Sequence, residues 1–309
     1  MKLFWMLTLA FVGLEALLFY VTHTSPPSAG SPAVAPATPA ISTAAPAPSP
    51  IRYAVQSLPQ AEVHTLVIPA QHQVLVAVSD QVATLKDFAV PYGAIAVING
   101  GFFDPENQKS TSYVTLQGQT AADPQQNDRL TNNPNLAPYL AQIFNRTEFR
   151  QYRCQPTAGQ SGPTLRYDIV LHTEPPAAGC QIVNALGAGP SLLPQPNLQS
   201  EGFLDLANGE VIRDAIDQAR LSPRSAVGLR PDGSVILVMV AQKPEAIDAS
   251  GMTLQQLADL MKSLGAEKAM NLDGGSSTSL YYNGTTHYGK LDEQGNPVER
   301  PVKSVLLVK

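Results

Sequence analysis

Leu254, Leu257, Met261 and Leu264 recur at three- and four-residue spacing, which places their side chains on one face of a helix. Thr253 followed by Gln256 makes a capping-box start and Gly265 makes a stop, so the pattern predicts a helix between them. The apolar runs Ala269–Leu272 and Ala94–Ile98 read as short buried strands. Val63–Ile68 and Val74–Val78 read as a strand pair turning through Pro69–Gln73. Arg166–His172 alternates with period two, and Ser110–Leu116, Gln181–Ala185 and Pro301–Val308 add further strands. Pro223–Leu229 and Ser234–Val240 flank Arg230-Pro231-Asp232-Gly233, a hairpin turn in which proline sets φ and glycine supplies a positive φ. Asp205–Gly209 resembles a second hairpin turn. Thr84–Ala89 and Pro138–Phe144 predict short helices, the latter inside a polar, Pro/Asn-rich stretch from Thr120 to Gln160. Strands outnumber helices and do not alternate strictly with them. The expectation is an α+β fold: a mixed β-sheet core with few helices in a single globular domain.

The first fifty residues follow other patterns. Leu3–Val21 is apolar nearly all round, and Glu15 is its only charge. At about 1.5 Å per residue such a helix is close to the thickness of a bilayer core. Residues 1–21 therefore read as an N-terminal membrane anchor or signal segment, and the length of the apolar core favours an uncleaved anchor. Residues 22–51 form a Pro/Ala/Ser-rich linker expected to be disordered, because it holds too little apolar area to offset its ordering entropy. The folded domain is expected over 52–309, held away from the membrane and facing the periplasm or the extracellular space. If the N-terminal segment is cleaved, the domain is secreted.

Composition narrows the function. The chain has 309 residues, 44% of them hydrophobic, a net charge of −5 and only 15% charged residues. No basic patch stands out, which argues against nucleic acid as a partner. Cys154 and Cys180 flank a Gly/Pro-rich insert. In an oxidising compartment they would form a disulfide worth about 2–4 kcal/mol, the alternative being two free buried thiols.

Candidate chemistry gathers where predicted strands end in glycine loops. Asn271-Leu272-Asp273-Gly274-Gly275-Ser276-Ser277 follows one strand, Asn99-Gly100-Gly101-Phe102-Phe103 follows another, and Gly187-Ala188-Gly189-Pro190-Ser191 supplies a third. Such loops let backbone N–H groups approach an anion, and ligands of open sheets favour the carboxyl ends of strands. Asp273 is the leading carboxylate, able to bind a sugar hydroxyl, move a proton or ligate a divalent cation. Asp104 is second, while Asp214 and Asp217 read as surface charges. Arg224 starts a hydrophobic strand without an obvious charge partner, and a fixed guanidinium suits phosphate or carboxylate. His172 and His287 are each isolated. Ser276 and Ser277 suit hydrogen bonding to a ligand better than nucleophilic attack, since no nucleophile elbow is present. Asn145-Arg146-Thr147 and Asn283-Gly284-Thr285 match glycosylation acceptors.

Taken in order, these loops, Pro223-Arg224-Ser225-Ala226-Val227-Gly228 with Pro231-Asp232-Gly233, and Ser250–Leu254 resemble the phosphodiester glycosidase family over about Val63–Val308. Its best-known members remove N-acetylglucosamine from a sugar phosphodiester, and many bacterial members are exopolysaccharide-related. The resemblance implies a hydrolase acting on a glycan or sugar phosphodiester, with a pocket built from Asn99, Arg224 and Asp273. Gly100, Gly101, Gly189, Gly274, Gly275, Ser276 and Ser277 would line its substrate-binding surface. Many relatives carry an acidic-Gly-Arg triplet where this chain has Ala241-Gln242-Lys243, so Lys243 stands in for arginine and an acid is missing. Two other classes fit: a non-catalytic glycan-binding or exopolysaccharide envelope module, and a metal-dependent phosphodiesterase.

Overall fold

A computed structural model describes residues 49–156 and 162–309. The expected anchor at 1–21 and nearly all of the linker at 22–51 lie outside the described residues. Among those described, no helix is long and apolar enough to cross a membrane.

In chain order the elements are β1 (Arg52–Leu58), β2 (Ala61–Ile68), β3 (Val74–Ala83), α1 (Leu85–Tyr92), β4 (Ala96–Asn99), β5 (Val114–Leu116) and β6 (Gln119–Ala122). Then come α2 (Asp128–Thr131), α3 (Leu140–Ile143), β7 (Thr147–Cys154), β8 (Thr164–Leu171), β9 (Cys180–Gly187), β10 (Ser191–Leu193), β11 (Leu204–Ala207) and β12 (Glu210–Asp214). The last stretch holds β13 (Arg224–Leu229), β14 (Val235–Ala241), α4 (Leu254–Ser263), β15 (Lys268–Asn271), β16 (Ser279–Tyr282), β17 (Thr285–Tyr288) and β18 (Val302–Val308). They build a six-stranded sheet in the order β1-β2-β14-β13-β15-β10, two five-stranded sheets, β17-β16-β4-β18-β3 and β6-β5-β9-β7-β8, and the hairpin β11-β12.

The core explains why so many strands are apolar without a break. Leu237 and Met239 of β14 point into a core shared with Ile98 of β4, Leu306 of β18 and Phe149 of β7. Their neighbours Ile236, Val238 and Val240 point the other way, against Leu254, Leu257 and Met261 of α4. Likewise Val305 and Leu307 of β18 pack under Leu85 and Phe88 of α1. Strands covered on both faces cannot alternate polar with apolar residues. Each large side chain on the buried face of α4 contributes roughly 1.5–3 kcal/mol. Thr253 and Gln256 form the expected capping box, and Gly265 takes a left-handed φ of 85° just past the end.

The α+β class holds, and so do the hairpins β13–β14 and β11–β12. Every strand ladder among the described residues is antiparallel, however, so the expected mixture of strand directions does not occur between paired neighbours. The crossover β14-α4-β15 does return a strand in the same direction, but β13 sits between the two and pairs with both. A second correction concerns Val63–Ile68 and Val74–Val78. They do not pair: β2 lies between β1 and β14, and β3 pairs with β18 in a different sheet. The turn between them joins two layers, which local periodicity cannot distinguish from a hairpin. Within Ser110–Leu116 only Val114–Leu116 is a strand. Cys154 and Cys180 are register partners on β7 and β9 and are joined, with S–S 2.02 Å.

Candidate active site

The C-terminal ends of β15 and β4 and the start of β13 converge on a cleft of about 310 Å³. Asn271, Asp273, Gly274, Gly275 and Ser276 form one side, Ser222 and Arg224 another, and Phe102 and the Ala215–Asp217 loop the rest. Of the residues proposed from sequence, the cleft brings together Asp273, Arg224, Gly274, Gly275 and Ser276.

Asp273 is held by both sheets. Its N–H donates to Gly100 O at 2.9 Å, and its carbonyl accepts from Asn99 Nδ2 at 2.6 Å. Burial pushes its carboxyl up to about 6, although the Ser277 hydroxyl, Arg300 and the Gly274 N–H pull the other way. Of these, the Gly274 N–H donates to Oδ1 at 3.0 Å. A half-buried carboxyl on a cleft wall, titrating near neutrality, can take or give a proton.

Asn99 is a positioning residue, which corrects the expectation that it meets substrate. It is fully buried, and its Oδ1 accepts from Ser225 Oγ at 2.6 Å and Ser279 N at 3.2 Å. One side chain thus ties the backbone of Asp273 to β4, β13 and the start of β16.

The glycines were expected to offer N–H groups to an anion, and the structure spends those groups internally. Gly100 N donates to Ser304 O at 2.8 Å and Gly101 N to Ser304 Oγ at 3.1 Å. Gly189 N donates to Asn271 O and Gly275 N to Pro223 O, each at 3.0 Å, and Gly274 N is taken by Asp273. Their role is close packing. A Cβ on Gly101 would collide with Gly187 O, and one on Gly189 with the carboxylate of Glu201. Gly100, Gly101 and Gly189 therefore support the cleft without lining it.

Arg224 does face the cleft, but it is 3% exposed and largely committed. Its Nε donates to Met252 O at 3.2 Å, Nη1 to Ile216 O at 2.9 Å, and Nη2 to Asp217 O at 2.8 Å and Arg220 O at 3.2 Å. Four of its five N–H groups are thus engaged, three of them pinning the Ile216–Arg220 loop as a cleft wall and the fourth held by Met252 O. Asp214 braces the same loop by accepting from Ile216 N and Gln218 N. Asp217 is exposed, as expected, and also lines the cleft, with a φ of 48°.

Lys243 is elsewhere. It faces a second cleft of about 490 Å³ with Glu62, His64 and His287, and its Nζ donates to Leu58 O at 2.9 Å. Ala241 lies directly across the ladder from Glu62. His287 belongs to this cluster, where its ring centroid lies 4.5 Å from that of His64. Asp104 serves a turn, accepting from Glu106 N and pairing with Arg129 at 2.8 Å. His172 bonds to Glu148 at 2.9 Å and stacks on Tyr113. Ser277 is buried beneath the loop. Among the described residues no group of three or more His, Cys, Asp or Glu is arranged to hold a metal ion.

Two contributors carry no mark in the sequence: Ser222, which lines the cleft, and Arg300, which bonds to Ser276 beside it. Arg300 Nη1 donates to Ser276 Oγ at 2.8 Å, and its guanidinium carbon sits 5.2 Å from the centroid of the Phe103 ring. No spacing or turn signal around Arg300 marks it.

A family model described as phosphodiester glycosidase matches residues 92–309. A hypothetical protein from Synechocystis superimposes with a TM-score of 0.52 at 20% identity, over 84% of this chain and 61% of that one. The catalytic domain of zebrafish N-acetylglucosamine-1-phosphodiester alpha-N-acetylglucosaminidase, auto-inhibited by its pro-peptide, superimposes with a TM-score of 0.57 at 18% identity, over 85% of this chain and 84% of that one. At these identities the two structures share the fold. No curated protein matches the chain.

Proposed function

The chain belongs to the phosphodiester glycosidase family, and from that premise we propose that it hydrolyses the C1–O bond of a sugar-1-phosphodiester in an exported glycan. The observation that carries this reading is Asp273, a carboxyl titrating near 6 on the wall of a cleft that also presents Ser276 and Ser222. Cleaving C1–O builds positive charge on the sugar and leaves a phosphomonoester, which is a weak base and needs no strong acid to depart. Water adds to C1, its proton passes to the Asp273 carboxylate, and the bonding pair leaves with the phosphate oxygen. Ser222 and Ser276 offer hydroxyls for the sugar or the phosphate. The disulfide fits an oxidising compartment, in keeping with export. The anchor or signal segment expected at 1–21 and the linker at 22–51 would place the domain from 52 onward facing the periplasm or the extracellular space, or secreted if the segment is cleaved.

The test is turnover by the purified protein of an α-N-acetylglucosamine-1-phosphodiester, with and without a chelator, following free sugar against sugar phosphate. Free sugar supports the reading. Sugar phosphate, lost with the chelator, replaces it with a metal-dependent phosphodiesterase. Saturable binding without turnover makes the domain a glycan-binding module.

A further inference from the structure

A phosphodiester entering the cleft brings a negative charge beside Asp273 and Asp217, together with two non-bridging oxygens that need donors. The glycine N–H groups do not meet that need, because Gly274 N is taken by Asp273 Oδ1 and Gly275 N by Pro223 O. Arg224 keeps one N–H after its four carbonyl contacts. Arg300 differs in each respect. It is half-buried beside the cleft-lining Ser276, whose Oγ is its only protein acceptor among the described residues. Its charge also reaches Asp273. Because Ser276 Oγ accepts from Arg300, the hydroxyl proton of Ser276 is left to point at a ligand.

We propose that Arg300, together with the Ser276 hydroxyl, binds the phosphate of the substrate, while Arg224 holds the cleft wall. This assignment rests on the reading of the cleft as a sugar-phosphodiester site. A guanidinium offers two parallel N–H bonds to the two non-bridging oxygens, and the aromatic face of Phe103 keeps its plane from rotating freely. The assignment also couples anion binding to protonation. The positive charge of Arg300 lowers the proton affinity of Asp273, so a phosphate that neutralises it lets Asp273 take up a proton more readily. The other charges near this pair are Arg224, Asp217 and Arg220 across the cleft and Glu299 beside Arg300, the last acting on Tyr288.

The experiment is titration of the full chain with dimethyl phosphate, which carries the diester charge and no sugar, alongside steady-state turnover of the sugar phosphodiester. Arg300→Met should weaken dimethyl phosphate binding at least tenfold and raise KM more than it lowers kcat. Arg300→Lys, which keeps the charge and loses the fork, should fall between. Lys262→Ala, an exposed cation in the last turn of α4, should change binding less than twofold. Near pH 6 the wild type should take up protons on binding, measured by calorimetry in two buffers, and the Arg300→Met variant should not. A folded Arg300→Met variant that binds dimethyl phosphate as the wild type does overturns the proposal, as does a wild type that binds none. Binding lost in Arg300→Met while the wild type turns over no diester leaves the anion site standing and removes the glycosidase reading. Turnover with an unchanged KM in Arg300→Met does the reverse.

Discussion

Glu201 and Asp273 are two carboxylates that burial pushes towards the protonated form. Glu201 is fully buried in the seam where β10 meets the third sheet. Its Oε2 accepts from Thr147 N and its Oε1 from Thr147 Oγ1 and Ser191 N, all at 2.8 Å. Arg146 lies beside it, donating Nε to Glu201 O at 3.1 Å, with its own proton affinity lowered by burial to about 9. Every acceptor is used and no cleft touches the group. Asp273 takes the Gly274 N–H at Oδ1, has the Ser277 hydroxyl and the Arg300 charge beside it, and faces a cleft that a ligand can enter. A raised carboxyl pKa therefore marks two different things. Where the acceptors are saturated it marks a brace, and where one is open on a cleft it marks a candidate base.

The sharpest way to break that comparison is to remove each charge in turn. Asp273→Asn should cut turnover by about a thousandfold, within the range for losing a general base. It should also stabilise the fold at neutral pH. A folded pKa above the unfolded one favours folding below about pH 4, and that contribution is lost as pH rises through 6. Neutral Asn avoids the loss, so urea unfolding at pH 7.5 should show a gain on the order of 1 kcal/mol, reduced from the full linkage value because water reaches the cleft. Destabilisation together with lost turnover would make Asp273 a second brace. Glu201→Ala should do the opposite. It strands two backbone N–H groups, a hydroxyl and the Arg146 charge, at a cost of about 3 kcal/mol. Turnover per folded molecule should stay within about threefold. A folded Glu201→Ala protein without activity would show that the brace acts on the chemistry.

The same contrast shows what the sequence could carry. The helix at Leu254–Ser263 was readable because its cap, its face and its stop are all local. The loop holding Asp273 was readable because paired glycines after a strand announce a close backbone approach. They do not announce to what: Gly101 approaches Gly187 O and Gly189 approaches Glu201, so a cradle for an anion was read where protein contacts occur. Arg224 lines the cleft, but its partners lie on the Ile216–Arg220 loop and at Met252, with no local link to it. Arg300 meets Ser276 across 24 residues, a contact that only the packing of β18 beside β4 creates. Sheet membership was hidden for the same reason, since β2 and β3 are neighbours in sequence and separate in the fold.

The pH profile gives the next largest effect. If Asp273 acts as a base, kcat/KM should fall tenfold per unit below its titration point, with a midpoint near 6 for the free enzyme. Glu201→Gln, with its donor groups unsuited to Thr147 N and Ser191 N, should lose stability and leave that midpoint where it is. A midpoint that follows Glu201→Gln would tie the limb to folding. A flat profile from pH 5 to 8 would take the base role from Asp273.

The smallest expected effect is also the most useful discriminator. Lys243→Ala should leave kcat/KM within about twofold, because its ammonium rests on Leu58 O and near Glu245, at 3.4 Å, in the second cleft. One lost hydrogen bond there costs about 1 kcal/mol of stability at most. That second cleft has its own buried relay. Glu62 lies 3.0 Å from His64 Nε2, and Tyr53 OH lies 2.6 Å from His64 Nδ1, so its polar groups are paired in the manner of Glu201. A tenfold loss in Lys243→Ala, with stability unchanged, would mean that pairing within the protein does not separate braces from chemistry. Glu62, facing Ala241 across the ladder, would then be the next carboxylate to test.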